Sequence, residues 1–228
     1  MTALLPHTTF HDPLPAGVAR PAVSDTDPVL RVPGAPVDPR DPNIVRLAAD
    51  LVATMRASPG CVGLAAPQVG VSARVLAVEV SGHPLARTSH GTVVLCNARL
   101  IAASRWRKGR EGCLSVPDRT GDVKRAGRVV VAGQLPGSGE EIELAADSLE
   151  ARAFQHEIDH CAGLLFLDRV DGAHAVHARR EGPAALATRQ AERRASTCPP
   201  RPGDDRCALP ICAQREPHPP GVPYQGRR

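Results

Sequence analysis

His156, Glu157 and His160 stand in a His-Glu-Ile-Asp-His run. On an α-helix, residues four apart share a face, so the two imidazoles can direct nitrogens at one metal ion with Glu157 beside them. A metal held by two neutral imidazoles keeps positions for a third ligand and a water. A neighbouring carboxylate can then take a proton from that water and return it to a leaving amine. The same pattern also arises on ordinary charged helices, so it does not carry a function alone. A zinc protease of this motif class draws its third ligand from a His or Glu downstream, where His174 and His177 are offered only in a tail without apolar patterning.

A different third ligand stands upstream, in Glu111-Gly112-Cys113-Leu114-Ser115. A lone cysteine is more often a small buried apolar residue than a ligand. A third segment, Cys61-Val62-Gly63-Leu64-Ala65-Ala66-Pro67-Gln68, combines small residues that let a backbone approach a ligand with an amide that can donate a hydrogen bond. By itself it reads as a tight packing turn.

In this order, the three segments closely resemble the three motifs of peptide deformylases, GLAAPQ, EGCLS and QHExDH. The resemblance extends to Asp27-Pro28-Val29-Leu30-Arg31 and to Gly163-Leu164-Leu165-Phe166-Leu167-Asp168-Arg169, so it spans residues 26 to 170. It implies an enzyme that removes the formyl group from the N-terminal methionine of newly made proteins. The metal ligands it implies are Cys113, His156 and His160, with Glu157 as general acid and base. Its oxyanion donors fall on the Gln68 side chain and the Leu114 backbone N–H. The substrate backbone is expected to add as a strand beside Val62 and Gly63, with Gly112 on the other side and the methionine in an apolar pocket of Val62, Leu149, Ala153 and parts of the metal helix. One divalent metal ion is implied, Fe(II) first, with zinc or nickel as alternatives, since a thiolate suits all three. The implied partners are nascent formyl-Met polypeptides, with transient ribosome association.

Two positions depart from the family. Cys61 stands where many members have Gly, although a Cys-Val-Gly start resembles a subgroup that includes organellar enzymes. Cys161 stands where Leu is general and reads as a small apolar substitute. Gln155 and Asp159 match the motif, and Asp159 is either a support for the metal-bound histidines or a solvated helix residue. Trp106, among Arg105, Arg107, Lys108 and Arg110, reads as part of a charged, solvated loop. Two rival readings are a broader HExxH metalloprotease and an inactive relative that keeps only the fold.

The elements that must position these residues are legible in the patterning. Asp41-Pro42 caps a helix whose apolar positions Ile44, Leu47, Ala48, Leu51, Val52 and Met55 share a face, ending at Ser58-Pro59-Gly60. Strands are expected over residues 74–80, 92–97, 123–132 and 141–144, with a turn at 135–139. Asp147 and Glu150 form a capping box that starts the metal helix, and Gly163 stops it. The fold class is α+β, with mainly antiparallel sheets packed around a central HExxH helix.

The chain has 228 residues with 23 Pro, 20 Gly, three Phe, one Trp and one Tyr, too many breakers and too few anchors for even packing. Residues 1–25 read as a Pro-rich, loosely docked extension, residues 26–171 as the catalytic domain, and residues 172–228 as a disordered tail with a helical piece at 183–196. Within that tail, Cys207-Ala208-Leu209-Pro210-Ile211 matches the translation of a common sequencing-adapter oligonucleotide, so its end is read as partly an assembly artefact. A net charge of +4 is weak support for nucleic acid, and no specific nucleic-acid binding is expected. No apolar run is long enough for a membrane span and no secretory signal opens the chain, so the expected location is cytoplasmic. Seven cysteines without an export signal favour thiols or metal ligands over disulfides.

Overall fold

Asp41 and Pro42 start the first helix as their types predict. In the computed structural model, which describes residues 13–179, helix α1 runs Pro42–Ala57 with the Asp41 carboxylate accepting from the Asn43 N–H at 2.8 Å. Proline costs nothing at this first position, because that N–H has no partner within the helix. The Ser58 N–H donates to the Met55 carbonyl, and Gly60 turns the chain at φ +73°. Leu47, Ala48, Leu51, Val52 and Met55 are buried.

The strands are β1 (Gly63–Ala65), β2 (Val75–Val78), β3 (Val93–Cys113), β4 (Val116–Gln134), β5 (Glu141–Asp147) and β6 (Val176–Ala178). They pair antiparallel in the order β1-β2-β3-β4-β5, with β6 added on β4. Helix α2 (Ser148–Cys161) follows β5. Strand β2 is buried at every position: Val75 and Ala77 pack with α1, while Leu76 and Val78 join Ala151 and Phe154 of α2. Its uninterrupted apolar run is that of a strand covered on both faces. A third cluster, including Leu30, Cys113, Val123, Leu165 and Phe166, closes the other side of the metal helix. The architecture is α+β, a central antiparallel sheet flanked by helices, with the two histidines on α2.

Four local expectations are corrected. The strand expected to end at Asn97 continues past bulges to Cys113, so the charged stretch around Trp106 is strand, not loop. Asn97 makes this passage at φ +54°, its side chain accepting from the Val37 N–H at 3.0 Å and donating to the Gln134 amide oxygen at 2.8 Å. Residues 99–108 are exposed on both faces, so they carry no period-two pattern from which a strand could be read. The capping box does not form: Asp147 makes no side-chain cap bond, and Glu150, fully buried, accepts from the His90 backbone N–H at 2.8 Å instead.

Residues 172–179, expected to belong to the unpacked tail, contain a turn of 3-10 helix at Ala173–Ala175 and the strand β6. Backbone pairing with β4, at Thr120↔His177, stands in for the apolar anchors this stretch lacks. Residues 13–25, expected to dock loosely, are tied down by specific bonds. The Val18 N–H donates to Asp50 Oδ1 at 2.8 Å, and the Arg20 guanidinium pairs with Asp50 at 2.6 Å. The helical piece expected at 183–196 and the three cysteines beyond it lie outside the described residues.

Candidate metal centre

Cys113 ends β3 at the point where the chain reverses through Leu114 and Ser115 into β4, and this hairpin end faces α2. One ligand atom from each of Cys113, His156 and His160 lies within 4.8 Å of the others, and all three residues are buried. The His160 Nε2 atom is 3.2 Å from His156 Nε2 and 3.3 Å from Cys113 Sγ. One thiol sulfur and two imidazole nitrogens facing a common point are a donor set for a borderline-soft divalent cation. Among the described residues this is the one cluster of its kind.

The orientation of His156 is set from behind. Its Nδ1 is 2.9 Å from Glu111 Oε2, which leaves Nε2 directed at the other two ligands. Burial alone would lower the pKa of both imidazoles. Hydrogen bonding to Cys113 and Glu111 instead holds His156 well above its ordinary value, while burial and the adjacent His156 push His160 well below. A cation bound at this point would have to displace any proton on the nitrogens that face it. Burial would also raise Glu111, but hydrogen bonds from His156 and Arg125 reverse this and hold its carboxyl far below the usual range.

Gln68 lies in a short 3-10 turn, Ala66–Val69, directly after β1 and is 2% exposed. Its Oε1 accepts from the Ala65 N–H at 2.9 Å, and this fixes which way the amide points. Its Nε2 donates to Cys113 Sγ at 3.3 Å and retains a second N–H for another acceptor. Glu157 packs against Gly63 so closely that a Cβ added there would stand 2.6 Å from Glu157 Oε1. Burial pushes Glu157 up to about 7, and Oε2 has no hydrogen-bond partner among the described residues. A carboxyl near pH 7 with a free oxygen is suited to carrying a proton in both directions.

These groups open on one cavity of about 290 Å³. Its wall includes Val62, Gly63, Gly112, Leu114, Leu149 and Ala153, so the residues expected to hold substrate are gathered beside Gln68, Cys113, His156 and Glu157. Among the described residues the downstream ligand of an ordinary HExxH protease is not supplied: His174 is exposed, and His177 stands on β6 with Nε2 3.1 Å from Asp122. Neither Cys61, which lines the same cavity, nor Cys161 belongs to the ligand cluster, and burial pushes both thiols up to about 12. The Cys161 sulfur lies 3.8 Å from the Val75 carbonyl and packs in the core, as a small apolar substitute would.

A buried charge network stands behind the ligands, and sequence reasoning missed its centre. Arg125, 5% exposed, forks onto Glu111 at 3.0 and 3.1 Å and also pairs with Asp159. Arg152 donates to Glu111 Oε1 at 2.6 Å, and Arg169 donates to both oxygens of Asp159. Asp159 is thus a buried tie and not a solvated helix residue. The missing signal was available: Arg125 stands in phase with the inward-facing Val123, Val129 and Val131 of β4. Gln155 supports the same helix by bonding the Ala126 N–H and carbonyl, at 3.0 and 2.9 Å.

Comparison with known proteins agrees with this geometry. A family described as Polypeptide deformylase matches residues 19–175. A Peptide deformylase of Carboxydothermus hydrogenoformans is 46% identical over 145 residues, covering 64% of this chain and 89% of that protein. One of Acidothermus cellulolyticus is 44% identical over 145 residues, covering 64% and 75%. Among solved structures, a class I type b peptide deformylase of Acinetobacter baumannii with Met-Ala-Ser bound superposes with TM-score 0.61 at 36% identity, covering 67% of this chain and 99% of that one. A peptide deformylase of Thermotoga maritima gives TM-score 0.60 at 34% identity, covering 68% and 99%.

Proposed function

This chain belongs to the polypeptide deformylase family, and from that premise we propose how its residues divide the work of hydrolysing a formyl amide. The protein is a metal-dependent hydrolase that removes the N-formyl group from nascent polypeptides. Cys113, His156 and His160 hold the ion. When bound, a divalent ion there supplies a Lewis acid that brings the ionisation of water close to neutral pH. Fe(II) is the proposed native ion, with zinc or nickel able to replace it, because the mixed sulfur and nitrogen donors suit all three.

Glu157 takes a proton from the attacking water on its free Oε2 and delivers it to the amine nitrogen as the C–N bond breaks. The second N–H of Gln68 Nε2 and the backbone N–H of Leu114 donate to the formyl oxygen as charge gathers on it. The peptide lies as an added strand beside Val62 and Gly63, with Gly112 opposite, and main-chain recognition of this kind accepts many sequences. The methionine side chain enters between Val62, Leu149 and Ala153. The Met-Ala-Ser peptide bound by the Acinetobacter relative supports a tripeptide of this type as ligand. The proposed setting is the cytoplasm, beside the ribosome that presents the substrate; no described helix is long and apolar enough to cross a membrane.

The observation that carries this reading is the convergence of the three ligand atoms at a cavity that Gln68, Cys113, His156 and Glu157 line. Full-length protein loaded anaerobically with Fe(II) or nickel is expected to release formate from formyl-Met-Ala-Ser. Loss of Glu157, in Glu157→Ala, is expected to slow release by about 100-fold to 10,000-fold. A rate equal to that control, at verified metal content, refutes the assignment.

A further inference from the structure

Arg179 follows β6 and lies at the edge of the cavity that holds the metal ligands. Its placement is fixed by backbone pairing: β6 is registered on β4 at Arg119↔Ala178, and the Arg179 N–H donates to the Asp118 carbonyl at 2.9 Å. From there the guanidinium reaches over Gly112, where Nη2 stands 3.2 Å from the point a Cβ would occupy. A larger residue at position 112 would displace it. Gly112 therefore gives this cation its seat on the wall along which the peptide is proposed to run.

The charges facing the same cavity are otherwise committed. Arg110 pairs with Asp122 at 2.7 Å, and Arg152 with Glu111 at 2.6 Å. Of the two carboxylates lining the cavity, Glu111 is bound by Arg125, Arg152 and His156, and Glu157 carries the proton. The Arg179 guanidinium has no carboxylate or carbonyl partner among the described residues. An acidic side chain on a bound peptide would thus meet one cation that no described carboxylate engages and, among the described residues, no exposed carboxylate on the cavity wall to repel it.

We infer that Arg179 is a specificity-determining residue that favours formyl-Met peptides with Asp or Glu at position two or three. The inference rests on the deformylase reading and adds a charge preference to it. Because the guanidinium is solvent-exposed, an ion pair with it is screened by water and salt, and the preference is modest. An exposed pair corresponds to about a 2-fold to 5-fold difference in binding. A solvated arginine whose stem merely packs on Gly112 would produce no charge preference.

The test uses the full metal-loaded chain with formyl-Met-Ala-Glu, formyl-Met-Ala-Ser and formyl-Met-Ala-Lys, and a matching set varied at position two. Wild type is expected to favour Glu over Lys by about 2-fold to 5-fold in kcat/KM at low salt, expressed in KM with kcat unchanged, and to lose the preference at high salt. Arg179→Lys should keep the preference, Arg179→Ala abolish it, and Arg179→Glu invert it. A Glu-to-Lys ratio unaltered by Arg179→Glu, or an equal loss for every peptide, overturns the role of Arg179 while leaving the deformylase intact. Formate from none of the peptides, at verified metal content, overturns both.

Discussion

Glu111 uses both carboxylate oxygens: Oε1 accepts from Arg125 and Arg152, and Oε2 from Arg125 while facing His156 Nδ1. Only the last of these contacts reaches a metal ligand, and it decides how His156 is turned. A Glu111→Gln variant keeps the shape and one acceptor oxygen but loses the charge that favours a directed His156. Metal affinity, measured by competition with a chelator, is expected to fall by about 10-fold to 100-fold, while the ligands themselves stay in place. An unchanged affinity would show that Cys113 and His160 suffice to orient the site. At this scale the sequence was informative about ligands and poor about their supports. His156 and His160 declare themselves by a four-residue spacing on one helix, whereas Glu111 and Arg125 meet across two strands and show in a sequence only as polar residues at inward positions. The role of Arg125 becomes visible when β3 and β4 are paired and Asp159 is brought to its other side.

Elements show the same division between local and distant causes. Helix α1 was legible because its cap, its proline and its apolar stripe all lie within the helix itself. The start of α2 at Asp147 was placed correctly, but its cap was misread: Asp147 and Glu150 have the form of a capping box, yet a group 60 residues away captures Glu150. His90 Nδ1 stands 3.0 Å from Glu150 Oε1, and this hydrogen bond raises the His90 pKa despite the opposing effect of burial. Folding therefore favours the protonated imidazole. Its stabilising contribution is complete below the unfolded pKa, about 6.5, and is lost as pH rises through the higher folded value. In thermal unfolding between about pH 5.5 and pH 8.5, the Tm gap between wild type and His90→Ala is expected to be widest at the acidic end and to narrow upward. A gap constant across that range would mean that the neutral ring makes the tie.

Across the whole molecule, residues 18–25 connect parts that no single element joins. The Val18 and Arg20 bonds to Asp50, with the Arg20 N–H to Thr54 Oγ1 at 2.9 Å, lash the segment to α1. A few residues on, the Val23 N–H donates to the Gln68 carbonyl at 2.9 Å and the Asp25 N–H to the Ser115 carbonyl at 2.8 Å. The residues bearing the two proposed oxyanion donors, Gln68 and Leu114, are thus tied at or next to their own backbone by one strap anchored on a helix remote from the chemistry. Its proline-rich composition gave no hint of this, because, apart from the Arg20 guanidinium, the ties are backbone donors. Asp50→Ala removes the anchor without touching the cavity. Asp50 is 4% exposed but Arg20 is partly solvated, so the expected loss is near the low end of the 1.5–3 kcal/mol typical of charged hydrogen bonds, about 1.5 kcal/mol, read as a lower Tm. If the strap also positions the donors, kcat for formyl-Met-Ala-Ser should fall, at temperatures where the variant is fully folded, with metal affinity retained. A lowered Tm with kcat untouched would confine the strap to holding α1 in place, and Gln68 would then owe its position to Ala65 and Cys113 alone.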